Sequence, residues 1–172
     1  KQIFHSIASA KKILLVSHKN PDGDTLGSLG AMMQYLNHIE KPYVAFCATD
    51  MSTSLSFLPH ISVVSQDKRL WDDRDVDLVI SFDCSSPDYA GIEHYLPILK
   101  ERGVTIANID HHKTNPQFGD LNLDNRDPLR LFCFQQSRHS RRDGYLSSDW
   151  YCDRHRKLYK LCNNKTRAHD CK

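Results

Sequence analysis

No apolar run in the chain approaches the length of a bilayer span, and neither a membrane-spanning helix nor a membrane partner is expected. Lys1 to Ala10 lacks the apolar core of a signal peptide, so a cytoplasmic protein is expected. There is no Cys-x-x-Cys pair and no comparable histidine spacing, and a structural zinc module is therefore improbable. From position 129 onward Val, Ile, Met, Pro and Glu are absent too, and neither helical nor strand periodicity survives.

What is present divides the chain. At 172 residues, 40% hydrophobic and 26% charged, it is long enough for one full core and ordinary for a globular protein. Residues 1–128 hold 12 Lys and Arg against 17 Asp and Glu, whereas 129–172 hold 11 against 4, together with four of the six cysteines. Such a break marks a basic tail, a small metal-bound module or an artefact. The expected organisation is one domain over 1–128 and an atypical basic tail of low order over 129–172. Arg138, Arg141, Arg142, Arg154, Arg156 and Lys157, with Trp150 and Tyr151, make a nucleic-acid-binding arm electrostatically feasible. Basic composition alone more often means a solvated stretch.

Within 1–128 the periodicity alternates. Gln2 to Lys11 has the pattern of a short amphipathic helix, and Ile13 to Ser17 is a continuous apolar run of the kind buried on both faces of a parallel sheet. Thr25 is placed to cap a helix running to about Asn37, with Leu26, Leu29, Met32, Met33 and Leu36 on one face. Further strands are expected at Tyr43 to Cys47, Ser62 to Val64, Leu78 to Phe82 and Val104 to Ile109. A helix over Glu93 to Arg102 ends at Gly103. The expected fold is α/β, a parallel sheet flanked by helices on both faces.

The polar residues fall at strand ends, where ligands bind in such sheets. His18, Asp22 and Asp24 follow the first strand, Asp83 the fourth, and Asp110, His111 and His112 the fifth. Taken singly, each has a bland reading: a solvated turn begun by Asn20-Pro21, a helix cap, a surface histidine pair. Their convergence favours a metal site, and carboxylates mixed with imidazoles suit borderline-hard ions such as Mn²⁺.

Three ordered segments carry a resemblance. Val16-Ser17-His18-Lys19-Asn20-Pro21-Asp22-Gly23-Asp24-Thr25-Leu26-Gly27-Ser28 resembles the first motif of the DHH phosphoesterase family, Phe82-Asp83-Cys84-Ser85 its second, and Asp110-His111-His112 the signature that names it. The form of the first motif is most similar to the group that degrades short oligoribonucleotides and dephosphorylates 3′-phosphoadenosine 5′-phosphate. The resemblance implies a two-metal phosphoesterase acting on short oligonucleotides or nucleotides, an exonuclease in part of the family, with two Mn²⁺ ions, or Mg²⁺ or Co²⁺. It implies that His18 and Asp22 hold one ion, Asp24 and His111 the other, and that Asp83 bridges them. His112 would face the substrate phosphate, and Asp110 would orient a neighbouring imidazole. Asn20 has two readings, positioning the nucleophile or a phosphate oxygen, and stabilising the turn. Gly27 and Ser28 either present amides to the site or serve helix packing. A homodimer is left open. Inorganic pyrophosphatase activity is the alternative within the same chemistry, and a noncatalytic metal- or nucleotide-binding remnant the alternative outside it.

The family pattern also requires a fourth motif, Gly-Ile-x-Thr-Asp-Thr, whose aspartate bridges the metals, and a second domain; neither is legible after Leu129. A frameshift near Pro128 to Leu129 explains both the absence and the composition. Read one nucleotide later, the codons of Trp150 and Tyr151 must give glycine. Those through Leu158 can give Gly-Ile-Val-Thr-Asp-Thr-Glu-Ser-Phe, with the aspartate straddling Arg154 and His155. Weak or no activity is expected of the chain as it stands.

Overall fold

Ile13, Leu14, Leu15 and Val16 are wholly buried because their strand, β1 (Lys12–Ser17), is paired along both edges and covered on both faces. Its neighbours are β2 (Tyr43–Phe46) and β4 (Val76–Phe82), both parallel to it. The computed structural model describes residues 2–124. The basic stretch 129–172, on which the tail-order, zinc, nucleic-acid and frameshift readings fall, lies outside the described residues.

With β3 (Val64–Ser65), β5 (Thr105–Asp110) and β6 (Leu121–Asp124), the strands form one sheet in the order β3-β2-β1-β4-β5-β6, and every pairing is parallel. This is the α/β architecture expected from the sequence. Alternation along each strand feeds two cores. Ile13, Leu15, Leu78, Ile80, Phe82, Ala107 and Ile109 pack with helices α1 (Gln2–Ser9) and α2 (Gly23–His38). On the opposite face, Leu14, Val16, Val79 and Ile106 pack with Ala90 of α3 (Pro87–Ala90), Leu99 of α4 (Leu96–Glu101) and Trp71. Trp71 stacks on Tyr95 with ring centroids 4.5 Å apart and meets Phe46 edge-on at 5.1 Å. Full burial of each large aliphatic side chain contributes about 1.5–3 kcal/mol.

Three local expectations are corrected. The cap of α2 is Asp22, whose carboxylate accepts the Asp24 and Thr25 N–H groups at 2.9 and 3.0 Å, so the helix begins at Gly23 rather than after Thr25. The third strand is displaced to Val64–Ser65, because His60, at φ 65°, opens a 3₁₀ turn over Ile61–Val63. Helix α4 starts only at Leu96, with Pro97 in its first turn: lacking an N–H, Pro97 has nothing to donate to the Glu93 carbonyl, and Glu93–Tyr95 form a turn instead. Strand β6 and the four-residue helix α3 were not anticipated. Among the described residues no helix is long and apolar enough to cross a membrane.

Candidate metal centre

The sheet order reverses direction between β1, which passes leftward to β2, and β4, which lies on its other side. A crevice opens beyond the carboxyl ends of strands at such a point. His18 leaves the end of β1, Asp83 the end of β4, and Asp110, His111 and His112 the end of neighbouring β5, while Asp22 heads α2. Residues distant in sequence thus meet because three adjacent parallel strands end together.

His18 is buried, and its Nδ1 donates to the Lys19 carbonyl at 2.7 Å, which leaves the Nε2 lone pair free. That Nε2 faces Asp22 Oδ1 at 4.0 Å and Asp83 Oδ2 at 3.9 Å. Asp83 carries a backbone φ of 57°, a left-handed conformation that costs a non-glycine residue about 1–3 kcal/mol. Its N–H donates to the Ile109 carbonyl at 2.9 Å, and Asn108, also fully buried, bridges the Ser81 hydroxyl to the Cys84 carbonyl behind it. The strained backbone is thus tied to β5 through the Ile109 carbonyl. Thr25 Oγ1, fully buried, donates to Asp83 Oδ2 at 3.0 Å. Asp83 Oδ1 is buried and accepts no hydrogen bond among the described residues.

Two imidazoles face that orphaned oxygen, His111 Nδ1 at 3.5 Å and His112 Nδ1 at 3.4 Å, and their rings are stacked with centroids 4.7 Å apart. Asp110 has no exposed side-chain surface, and its Oδ1 accepts from His112 Nδ1 at 2.7 Å. This bond, reinforced by the charges of Asp110, Asp83 and Asp22 against a smaller desolvation penalty, raises the His112 pKa above the ordinary imidazole value. Next to the cluster, burial first, and then the Asp83 and Asp110 charges, push the Cys84 thiol well above its usual range. Cys84 is an inert core residue.

Two groups of three side chains present ligand atoms within 4.8 Å of one another: His18, Asp22 and Asp83, and Asp83, His111 and His112. Asp83 belongs to both. A buried carboxylate oxygen without a donor, ringed by imidazole nitrogens, fits a divalent cation: the cation would satisfy the oxygen, and neutral imidazoles would complete its shell. Asp24 lies half-buried in the first turn of α2, outside both groups. Asn20 is exposed at φ 52°, and its N–H donates to Thr49 Oγ1 at 2.6 Å, which accounts for it as a turn residue. A side chain at Gly27 would meet nothing within 4 Å, so packing does not dictate that glycine; Ser28 Oγ is buried without a hydrogen bond among the described residues.

Sequence reasoning missed Thr25 as a partner of Asp83 and Tyr89 as a partner of His18. The Tyr89 ring stacks on the His18 imidazole at 4.7 Å. A signal for Thr25 existed, since the third residue after a helix cap shares the cap's end of the helix; none existed for Tyr89.

The fold is similar to that of a solved exopolyphosphatase-related protein from Bacteroides fragilis, with a TM-score of 0.66 and 19% identity over 80% of this chain and 42% of that one. The chain therefore spans less than half the length of that protein. The description "DHH family, N-terminal domain" matches residues 12–128, a span holding every strand and all the clustered histidines and aspartates, and the chain belongs to the DHH family.

Proposed function

We propose that this domain is the metal-binding half of a phosphoesterase that hydrolyses short oligonucleotides or 3′-phosphoadenosine 5′-phosphate with two divalent ions, Mn²⁺ first among them. The observation that carries the reading is the sharing of Asp83 between two ligand groups, with one of its buried oxygens lacking any hydrogen bond. In this reading His18 and Asp22 hold one ion, Asp24 and His111 the other, and Asp83 bridges. When bound, paired ions supply a water of lowered pKa and neutralise charge on the phosphoryl oxygens. Thr25 holds Asp83 in its bridging orientation. His112, whose Nδ1 is committed to Asp110 at 2.7 Å, would face the substrate phosphate.

Manganese-dependent turnover of a dinucleotide, of 3′-phosphoadenosine 5′-phosphate and of pyrophosphate, measured on the present chain and on a frame-corrected protein, tests the proposal. The frame-corrected enzyme is expected to cleave the two nucleotides, to lose that activity with Asp83→Ala, and to leave pyrophosphate largely intact. Preference for pyrophosphate transfers the assignment to a pyrophosphatase. Manganese binding without turnover by either protein leaves a noncatalytic remnant. Because Asp24 stands outside both ligand groups, the manganese stoichiometry of Asp24→Asn checks its place in the second ion's shell.

We further infer that residues after Pro128 are translated out of frame, on the strength of the forced glycine at Trp150-Tyr151 and the composition break. Genomic DNA across codons 125 to 160 decides it: no single insertion or deletion restoring the fourth motif would end the idea.

A further inference from the structure

His18 is held by something the ligand set does not include. Its ring lies against Tyr89 with centroids 4.7 Å apart and planes 25° from parallel. The carbonyl that receives its Nδ1 proton belongs to Lys19, whose own N–H donates to the Tyr89 carbonyl at 3.0 Å. Lys19 Nζ also reaches Asp88 Oδ1 at 3.5 Å. The short helix α3 therefore grips the His18-Lys19 segment with its backbone while the Tyr89 ring covers the imidazole.

Helix α3 is itself fixed at both ends. Ser86 Oγ accepts the Tyr89 N–H at 3.1 Å, and Gly91 ends the turn at φ 72°. A Cβ at Gly91 would stand 2.9 Å from Ala48 Cβ and from Lys19 Cε, and the left-handed φ favours glycine, so α3 lies close against the segments that follow β1 and β2. This close approach brings the Tyr89 ring over His18. Tyr89 is 42% exposed, too much for its main purpose to be core packing.

We infer that Tyr89 is a positioning residue for His18: its ring, seated by the Ser86 cap and the Gly91 close approach, holds the imidazole in the rotamer and Nδ1–H tautomer that aim Nε2 between Asp22 and Asp83. The tautomer part of this inference stands without a metal. Its consequence for affinity rests on the metal-binding reading proposed above.

The test uses the full chain with ¹⁵N-labelled histidine, metal-free, at a pH above the ordinary imidazole pKa of about 6.5, with the His18 signals assigned from His18→Gln. In the wild type and in Tyr89→Phe, His18 is expected to show a protonated Nδ1 and a bare Nε2. In Tyr89→Ala it is expected to average both tautomers and to lose the upfield ring-current shift. Manganese titration followed by electron paramagnetic resonance should then show Tyr89→Phe close to wild type and Tyr89→Ala weakened by about tenfold, the lower end for loss of a group that orients a ligand. Thermal midpoints of all three report that the fold is intact. Should Tyr89→Ala not fold, Tyr89→Leu, which keeps bulk without an aromatic face, replaces it and is read the same way. An unchanged His18 tautomer in the ring-deleted variant overturns the inference, as does a Tyr89→Phe as impaired as Tyr89→Ala. Absence of manganese binding in the wild type would sink the metal reading alone, with the tautomer still deciding the part played by Tyr89.

Discussion

The Asp110–His112 pair binds a proton more tightly in the folded chain than a free imidazole does, because a fully buried carboxylate accepts from Nδ1 at 2.7 Å. A folded pKa raised above the unfolded one contributes stability that is complete below the unfolded value of 6.5 and disappears as pH rises through the folded value. In the metal-free protein the thermal-midpoint gap between wild type and His112→Gln should therefore be largest on the acid side and close as the solution becomes alkaline. A gap that widens with pH would contradict the Asp110 bond as its cause. Thr25 offers a second residue-scale measurement: Thr25→Val keeps the shape and removes the hydroxyl from a buried carboxylate, for an expected loss of about 1.5–3 kcal/mol by urea unfolding. The charged members of this cluster were legible in the sequence because carboxylates and imidazoles after apolar runs are conspicuous. Tyr89 and Asn108 were not, since a phenol ring and an amide acquire meaning only from the neighbour that folding brings to them.

At the scale of elements, strands buried on both faces announced themselves: β1, β4 and β5 carry buried aliphatic residues on both faces, interrupted by Asp77 and Ser81 in β4 and by Asn108 in β5, and the sequence placed each within two residues of its observed ends. The edges were harder. β3 pairs through only two residues, Val64 and Ser65, and β6 alternates Leu121, Asn122, Leu123, Asp124 over too short a span to reveal its period. Tertiary contacts hold β6 in place instead. Asp120 Oδ2 accepts the Ile106 N–H at 2.9 Å, and Asn122 ties down Gly119 through both its N–H and its carbonyl. A Cβ at Gly119 would lie 2.9 Å from the Leu121 carbonyl oxygen, 3.0 Å from that of Ile106 and 3.1 Å from the Asn108 nitrogen. Backbone atoms yield less than side chains, so Gly119→Ala is expected to cost about 1–3 kcal/mol in urea unfolding and to speed hydrogen exchange in β6 ahead of β1. Exchange accelerated equally in all strands would mean that β6 is not a separately anchored edge.

Across the whole molecule, the candidate ligands are drawn from the ends of three central strands and the head of α2, with no two strands contributing through the same loop. An unfolded chain cannot assemble them, because His18, Asp83 and His111 are separated by 65 and 28 positions and converge only through parallel pairing. A divalent ion that binds this arrangement therefore binds the native state alone and stabilises it by mass action, by about 2.7 kcal/mol at a free concentration one hundred times the dissociation constant. Without the ion, His111 and His112 face a buried Asp83 oxygen that has no donor among the described residues, a cost that the rest of the sheet must offset. Manganese should accordingly raise the thermal midpoint of the wild type in a concentration-dependent way. Asp83→Asn, which keeps the size of the shared side chain and removes its charge, should flatten that dependence while leaving the metal-free midpoint little changed or higher. A midpoint insensitive to manganese in the wild type would show that these strand ends do not form a metal centre, whatever chemistry their spacing suggests.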